Sequence, residues 1–295
     1  MKHGMKGDAS DMTSAREFNG RAKPRILVMS ELRYAEQAQP RGLMAAIRKT
    51  GVELREHFLV DGGIPDGVLA DLSWADAVVA RGRSDQVLAA LDIAEQLGVA
   101  VVDPPGSIRA VRDKALMGAA FMRAEIPIPA TFIAEKEALV DTIPAWRYPL
   151  ILKPIFGDNA RGLRLVHTPA DLAMVDWPES PALVQSYLPG DGMDLKLYGI
   201  GTQVWAVSKP SPFTPCRYKG AFPMPMDGGL ERLALSCAAL FGLTVFGVDC
   251  LPTSTGPVVI EVNDFPNFTA VHEADAALAA HVLAAVVART EAGAI

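Results

Sequence analysis

Three oxygen-bearing side chains near the end of the chain have the spacing of a metal site. Glu261 and Asn263 are two residues apart in the apolar run 258–262, so they would leave the same face of a strand. Asp249 follows the same alternation in the preceding apolar run, and the Ser-Thr-Gly-Pro sequence at 254–257 predicts a turn that joins the two runs as a hairpin. Two carboxylates and an amide oxygen suit a hard cation such as Mg2+. The alternative is a solvated sheet face that binds no ion, but an unpaired acid between apolar residues is costly.

A lysine followed by a glycine-containing loop is the second chemical feature. Lys153 ends the apolar run 149–152, and the loop after it contains Gly157 and Gly162. Such a loop can face phosphates with one ammonium group and several backbone N–H groups. It lacks the Walker A spacing, so taken alone it also fits a solvated turn. Lys114 lies on a predicted helix and, taken alone, is a solvated helix charge.

The order of these motifs resembles the ATP-grasp superfamily over residues 24–288. The matching features are an Asp113-Lys114 pair after a strand end, the Lys153-Pro154 glycine loop, a hinge at 183–188, and the acidic hairpin. The chain is most similar to the ribosomal-protein glutamate ligase-like branch and the inositol trisphosphate 5/6-kinase-like branch. Both have a strand like residues 194–201 after the hinge.

The resemblance implies ATP and Mg2+ as cofactors and a role for each matching residue. The metal ligands would be Asp249, Glu261 and Asn263, holding one or two Mg2+ ions for which Mn2+ could substitute. Lysines and the glycine loop would contact the phosphates, and the hinge would contact the adenine edge. The implied nucleotide-binding residues are Lys114, Lys153, Gly157, Gly162, Gln185, Ser186, Leu188, Asp194 and Lys196.

Asn267 marks a departure from the family pattern. The family often has Pro-Gly after the metal strand, whereas this chain has Pro266-Asn267. Because asparagine tolerates a left-handed backbone better than most residues, we expect Asn267 to preserve the turn and to present a different surface to the substrate.

Substrate contacts must come from other residues, because the shared motifs occur in both ligases and kinases. Arginine binds carboxylates and phosphates well, and ligands of open α/β sheets bind beyond the carboxyl ends of strands. The substrate candidates are Arg33, Arg81, Arg83 and Asn267, and the catalytic candidates are Lys209 and Arg217, which flank a Pro-rich segment. A solvated surface charge explains Arg81, Arg83 and Lys219 equally well.

The elements that must position these residues fall into three stretches. Residues 24–105 alternate strand and helix, which predicts a parallel α/β lobe before the ATP clamp. Residues 106–190 and 191–295 predict two α+β lobes that clamp ATP, the first beginning with a helix over 107–125 capped by Ser107. Residues 1–23 are rich in glycine and polar residues and predict a disordered tail. The fold class is α/β plus α+β, of the ATP-grasp type.

Composition excludes several classes of protein. The net charge of −6 argues against a nucleic-acid or membrane-surface binder, and no apolar run reaches the ~20 residues of a membrane span. Three cysteines, Cys216, Cys237 and Cys250, match neither a disulfide framework nor a zinc site. We therefore expect a cytoplasmic protein, and a homodimer stays open.

The resemblance implies a ligase that joins a carboxylate to an amine through an acyl phosphate, acting on an amino acid, a peptide or another small acid. An inositol polyphosphate would require a densely basic pocket, whereas acidic residues outnumber basic ones in this chain. Two alternatives remain: a kinase that phosphorylates a hydroxyl of a polyol or inositol phosphate, and a nucleotide-binding module without turnover.

Overall fold

The N-terminal part of the chain forms a parallel sheet. The computed structural model describes residues 23–60, 62–157, 161–211 and 217–292, so the predicted disordered tail lies outside the described residues except for Lys23. The strands are β1 (Arg25–Glu31), β2 (Glu53–Leu59), β3 (Ala77–Arg81) and β4 (Ala100–Val102), in the spatial order β2-β1-β3-β4. The central strands β1 and β3 are almost entirely buried, as their continuous apolar runs predict.

Three helices connect these strands: α1 (Ala38–Lys49), α2 (Asp66–Trp74) and α3 (Asp85–Gln96). The Ser84 side chain caps α3 by accepting from the Val87 amide. The strand–helix alternation therefore produces the α/β lobe that the sequence predicts.

The middle of the chain forms a four-stranded antiparallel sheet. Its strands are β5 (Thr131–Ala134), β6 (Leu150–Lys153), β7 (Arg164–Val166) and β8 (Ala182–Ser186), in the order β5-β8-β6-β7. Two short helices, α6 (Lys136–Thr142) and α7 (Pro169–Met174), contact each other, and α7 begins with a capping box of Thr168 and Asp171.

A five-stranded antiparallel sheet forms the last part of the fold. Its strands are β9 (Met193–Ile200), β10 (Gln203–Pro210), β11 (Phe222–Met224), β12 (Val245–Thr253) and β13 (Gly256–Asp264), in the order β11-β10-β9-β12-β13. Helix α8 (Gly228–Phe241) ends at Gly242, whose φ of 67° is the left-handed conformation that glycine accepts. Helix α9 (Ala274–Ala292) follows the sheet. No helix among the described residues is both long enough and apolar enough to span a membrane.

The predicted helix over 107–125 is wrong in one respect, because it is two helices. Helix α4 covers Pro105–Ala110 and α5 covers Lys114–Arg123. Asp113 interrupts the helix in an extended conformation, and its carboxylate accepts from the amides of Ala115 and Leu116. The cap is therefore Asp113 rather than Ser107, and it places Lys114 at the first position of α5.

Helix α5 packs against the large sheet. Met117 and Phe121 share a core with Leu197, Phe241 and Phe246, and the rings of Phe121 and Phe241 meet edge to face at 5.5 Å. A second core joins β1 and α1 to α9 and the other face of the large sheet. The lobe boundaries near residues 105 and 190 stay a prediction, and the packing of α5 argues for starting the small lobe after Pro129.

A buried carboxylate ties the end of the first sheet to the large sheet. Asp103, just beyond β4, is only 4% exposed. Its oxygens accept from the amides of Thr244 and Val245, both at 2.9 Å, and from the Thr244 hydroxyl at 2.5 Å. The parallel lobe is thereby hydrogen-bonded to the strand that carries Asp249.

Candidate active site

The acidic hairpin forms as the alternation predicts. Strands β12 and β13 are antiparallel, with Asp249 directly opposite Glu261 and Asn263 opposite Gly247. The Asn263 Nδ2 atom lies 3.5 Å from Asp249 Oδ2 and 3.3 Å from Glu261 Oε1. Local alternation and one turn therefore bring all three predicted metal ligands together.

Three lysines surround these acids. Lys196 lies opposite Asp249 in the β9–β12 pairing, and its Nζ is 2.5 Å from Asp249 Oδ2. Lys114 Nζ is 3.5 Å from Glu261 Oε2 and also donates to the carbonyl of Gly157. Lys153, at the end of β6, is only 5% exposed. The structure thus brings together the cations that the sequence placed far apart.

The burial of this cluster shifts its protonation equilibria. Burial lowers the pKa of Lys153 to about 8, although nearby Glu261 raises it and Lys114 lowers it further. Burial also raises the pKa of Asp249. For Glu261, burial acts to raise the pKa, but the charges of Lys114, Lys153 and Lys196 outweigh it, so the pKa is lowered. Glu261 therefore stays ionised in a field of cations.

The donor set fits Mg2+ through oxygen atoms. The described residues hold no cluster of three or more His, Cys, Asp or Glu side chains, so the site depends on two carboxylates and Asn263. The Asn263 amide oxygen accepts from Arg83 Nη2 at 3.1 Å, and its amino group faces the carboxylates. To bind a cation through oxygen, the amide has to turn over, whereas Asp249 and Glu261 already point to one place.

A cavity of about 490 Å³ contains this cluster and continues between the two antiparallel sheets. Six apolar residues of the two sheets and their flanks are part of its lining. The small sheet and its flanks contribute Pro129, Ile151 and Leu163, and the large sheet contributes Met193, Leu251 and Ile260. Sequence reasoning missed these six residues, because in sequence they look like ordinary alternating core residues.

The hinge residues line the same cavity. Gln185, Ser186 and Leu188 are all at its wall, and their contact with a nucleotide stays a prediction. The Gln185 side chain donates to the Thr131 hydroxyl at 2.9 Å, and the Ser186 amide donates to the Ala130 carbonyl. The Ser186 amide is therefore engaged in holding the hinge and is not free for a ligand, whereas Gln185 Nε2 uses only one of its two N–H bonds there.

The glycine loop is only partly described, and its closure over phosphates stays a prediction. Gly157 lines the cavity, and residues 158–160 lie outside the described part of the chain. Gly162 has a φ of +77°, and a Cβ there would be 2.8 Å from Pro154 Cγ, so only glycine fits without displacing the proline. Gly162 itself is not among the residues that line the cavity.

Asp194 and Lys209 lie opposite each other in the β9–β10 pairing, and both line the cavity. Burial raises the pKa of Asp194, and its Oδ1 atom is buried without a hydrogen-bond partner in the described residues.

Arg217, the other catalytic candidate, is exposed, donates to the Tyr218 hydroxyl at 2.9 Å and does not line the cavity. The intervening residues 212–216 lie outside the described residues.

The substrate candidates of the N-terminal lobe separate into two groups. Arg81 and Arg83 line the cavity, whereas Arg33 is exposed and ion-paired with Glu31 outside it. Arg83 Nε is 2.5 Å from Asp264 Oδ1, which joins the parallel lobe to the end of the metal strand.

Asn267 does not take the left-handed conformation that the sequence predicts. In this loop Phe265, Phe268 and Ala270 have positive φ values of 35°, 50° and 63°, and Asn267 does not. Its side chain instead accepts from Arg81 Nη1 at 2.7 Å and donates to Gln37 Oε1 at 2.8 Å. Asparagine therefore serves here as a hydrogen-bonding bridge rather than as a turn residue.

Comparison with known proteins agrees with this geometry. A model of the RimK-like ATP-grasp domain matches residues 111–286. The chain belongs to the RimK-like ATP-grasp family. It is 30% identical to a probable alpha-L-glutamate ligase of Thioalkalivibrio sulfidiphilus over 69% of this chain and 73% of that protein.

Solved structures show the same fold. The RimK domain ATP-grasp protein of Sphaerobacter thermophilus superposes with a TM-score of 0.70 at 20% identity, covering 89% of this chain and 99% of that one. The D-alanine–D-alanine ligase of Bacillus anthracis also gives 0.70, at 15% identity, covering 92% and 99%. The predicted ATP-grasp fold is confirmed.

Proposed function

We propose that this RimK-like ATP-grasp protein is an ATP- and Mg2+-dependent ligase that joins a carboxylate to an amine through an acyl phosphate. The observation that carries the proposal is the cavity in which Lys114, Lys153 and Lys196 meet Asp249 and Glu261 beside an apolar slot. The lysines suit a triphosphate, the acids suit a cation, and the slot suits a purine ring.

Different residues of the cavity would bind the base, the ribose and the phosphates of the nucleotide. The apolar walls at Ile151 and Ile260 would enclose adenine, next to the hinge at Gln185, Ser186 and Leu188. A ribose hydroxyl could donate to the unpartnered Oδ1 of Asp194. This would satisfy a buried acceptor that has no hydrogen-bond partner among the described residues.

The three lysines would hold the phosphates. In the ligand-free arrangement Lys114 and Lys196 neutralise the two carboxylates. Asp249, Glu261 and Asn263 would hold one or two Mg2+ ions, or Mn2+, which would neutralise phosphate oxygens and orient them for transfer. The carboxylates would then pair with the cation, and the lysines would be free to turn toward phosphate oxygens.

The reaction needs positioning and charge stabilisation rather than a protein nucleophile. A substrate carboxylate oxygen attacks the γ-phosphorus and the bond to ADP breaks, which forms an acyl phosphate. The amine nitrogen then attacks the acyl carbon, inorganic phosphate leaves, and the amine loses a proton. Lys196 and Lys209, which line the cavity, would stabilise the negative charge that develops on these oxygens. Arg217 stays a catalytic candidate on sequence grounds.

The relatives suggest which substrates to try first. Similar proteins are named probable alpha-L-glutamate ligases, so we propose L-glutamate as the first amino acid to test, with a peptide or another small acid as the partner substrate.

The buried free thiols of Cys237 and Cys250 suit a reducing compartment, and we propose that the protein is located in the cytoplasm.

ADP release tests the proposal. We expect release only when a carboxylate and an amine are both present, or when hydroxylamine traps the acyl phosphate. Asp249→Asn should lower the rate at least ~100-fold without recovery at high ATP, because it weakens the cation site. Asp92→Asn, at a half-buried residue whose ion pair with Arg109 lies on the surface, is the matched control.

Other outcomes would exclude the ligase. A phosphorylated hydroxyl product that is stable to hydroxylamine would show a kinase. Mg-ATP binding without ADP release for any acceptor would show a nucleotide-binding module without turnover.

A further inference from the structure

Arg81 is a buried cation of the parallel lobe that lines the cavity. It is the last residue of β3, and it is 7% exposed. Together with Tyr34, Gln37 and Asn267 it lines the cavity. It is therefore one of the few charged groups that combine deep burial with access to the cavity.

Every hydrogen-bond partner of Arg81 is neutral. Nη1 donates to the Gln39 carbonyl and to Asn267 Oδ1, and Nη2 donates to Gln37 Oε1 at 3.0 Å. The guanidinium also lies over the Tyr34 ring, 4.5 Å from its centroid. Of its five N–H bonds, Nε–H and one Nη2–H have no acceptor among the described residues and remain for a ligand.

The acids around Arg81 are engaged with other groups. Asp264 is paired with Arg83, Glu31 with Arg33, and Asp275 accepts from the Gln39 side chain at 2.5 Å. Among the described residues, no carboxylate forms an ion pair with Arg81 itself. Burial lowers its pKa to about 10, so the guanidinium is charged at neutral pH. The nearby charge of Asp264 favours the guanidinium but forms its ion pair with Arg83. A buried charge without an ion-paired carboxylate of its own is costly, and such a charge facing a cavity suits an anionic ligand.

We propose that Arg81 binds a substrate carboxylate other than the one that is activated. The activated carboxylate must reach the γ-phosphate near Lys196 and Asp249, whereas the Arg81 guanidinium is hydrogen-bonded to Gln37, Gln39 and Asn267. A planar carboxylate matches the two N–H bonds that remain on the guanidinium. The inference rests on the proposed function and adds that one substrate keeps a free carboxylate through the reaction.

Asn267 positions this guanidinium. Its Oδ1 accepts from Arg81, and its Nδ2 holds Gln37 Oε1, which is itself an acceptor of Arg81. A glycine, which the family pattern often places here, would remove both contacts. The departure from the pattern therefore supplies the support that orients Arg81.

Substrate analogues test the inference on the wild-type protein. The probes are L-glutamate, its α-amide and L-glutamine, which is the γ-amide, each at saturating Mg-ATP. One amide should raise KM on the order of 100-fold, because it replaces the carboxylate that pairs with a buried charge. The amide that loses affinity identifies which carboxylate Arg81 binds. The comparison of substrate analogues uses only the wild-type protein, so it remains valid even if a substitution at the buried Arg81 impairs folding.

Substitutions of Arg81 provide a second, independent test. Arg81→Gln should raise KM for L-glutamate by the same ~100-fold, leave KM for ATP unchanged, and abolish the difference between L-glutamate and the discriminating amide. Arg81→Lys should be intermediate, because an ammonium keeps the charge but not the planar pair of donors. Arg41→Gln, an exposed residue of the same lobe paired with Glu36, controls for the change in net charge.

Three results would overturn the inference. They are equal KM for L-glutamate and both amides, an unchanged KM in Arg81→Gln, and no response of the wild type to L-glutamate. In the last case ADP release with another amine would leave the ligase proposal standing. If no amine supports ADP release, a thermal-shift titration with L-glutamate and its amides decides: equal stabilisation of wild type and Arg81→Gln contradicts the carboxylate site.

Discussion

At the scale of single residues, the site is dominated by lysines that are buried more deeply than lysines usually are. Lys153 is 5% exposed and lies close enough to Glu261 and Lys114 for both to shift its pKa. Burying the Lys153 ammonium costs free energy, because the charge loses its hydration. A bound anion lowers that cost, because it replaces the lost hydration. The loss of the Lys153 proton at high pH should therefore change the measured affinity for the nucleotide.

The affinity for ATP should fall as the pH rises through about 8. The pKa of Lys153 in the free protein is about 8, so the ammonium is present below that pH and is lost above it, while bound phosphates favour the charged form. The dissociation constant of a non-hydrolysable ATP analogue should rise by up to ~10-fold per pH unit above pH 8. Titrations between pH 7 and 9.5 measure this slope.

Two variants at this position separate charge from shape. Lys153→Arg should remove the slope, since arginine stays protonated, and Lys153→Ala should weaken binding ~30-fold or more at pH 7 with little loss of folding stability. A steep slope that persists in Lys153→Arg, or full affinity in Lys153→Ala, would contradict the assignment.

At the scale of elements, the strand β9 sets the geometry of the acidic hairpin. It pairs with β12 so that Lys196 lies opposite Asp249 and Gly199 lies opposite Phe246. Phe246 is fully buried, and its ring covers Gly199, where an added Cβ would be 2.0 Å from Phe246 Cζ. The close approach of this aromatic ring to a glycine keeps the two strands in register.

Gly199→Ala should destabilise the protein by about 1–3 kcal/mol, because the ring cannot move within a packed core. Phe246→Leu should recover part of that loss in the double variant, and urea denaturation of the four proteins in the cycle measures the coupling. Gly118→Ala in α5, where nothing lies within 4 Å of an added Cβ, is the control and should be neutral or stabilising. Additive effects of Gly199→Ala and Phe246→Leu would contradict the contact.

At the scale of the whole molecule, the parallel lobe and the large sheet are joined by buried polar contacts as well as by a shared core. Asp103 accepts from Thr244 and Val245, and the Thr244 hydroxyl also lies 2.8 Å from His281 Nε2 on α9. Arg83 adds a second connection to Asp264 on the metal strand. These contacts hold Arg81 and the acidic hairpin at a defined separation.

Asp103→Ala should cost at least ~2 kcal/mol of unfolding free energy, because it leaves two backbone amides and a hydroxyl without an acceptor. Hydrogen exchange at Thr244 and Val245 should accelerate with it. Asp92→Ala, which breaks only a surface ion pair with Arg109, should cost no more than ~1 kcal/mol. Equal stability of the two variants would show that Asp103 is not a junction between the lobes.

The sequence by itself determined the features that depend on local periodicity. The common orientation of Asp249, Glu261 and Asn263, the strand–helix alternation of the first lobe and the positive φ of Gly162 all follow from local sequence. Such spacings are set by side-chain alternation along a strand and by backbone conformations that only glycine adopts. The family could be predicted for the same reason, since its motifs are local and ordered.

The tertiary structure decided which distant elements meet. Nothing in the local pattern places Arg81 beside Asn267, 186 residues away, or packs α5 against the large sheet. The tertiary structure also gives the Asn267 side chain a hydrogen-bonding role. The sequence had instead predicted that Asn267 adopts a left-handed backbone conformation in the turn. The physical reason is that such contacts arise when apolar faces of separate sheets are buried together, and only that packing determines which polar side chains meet at their edges.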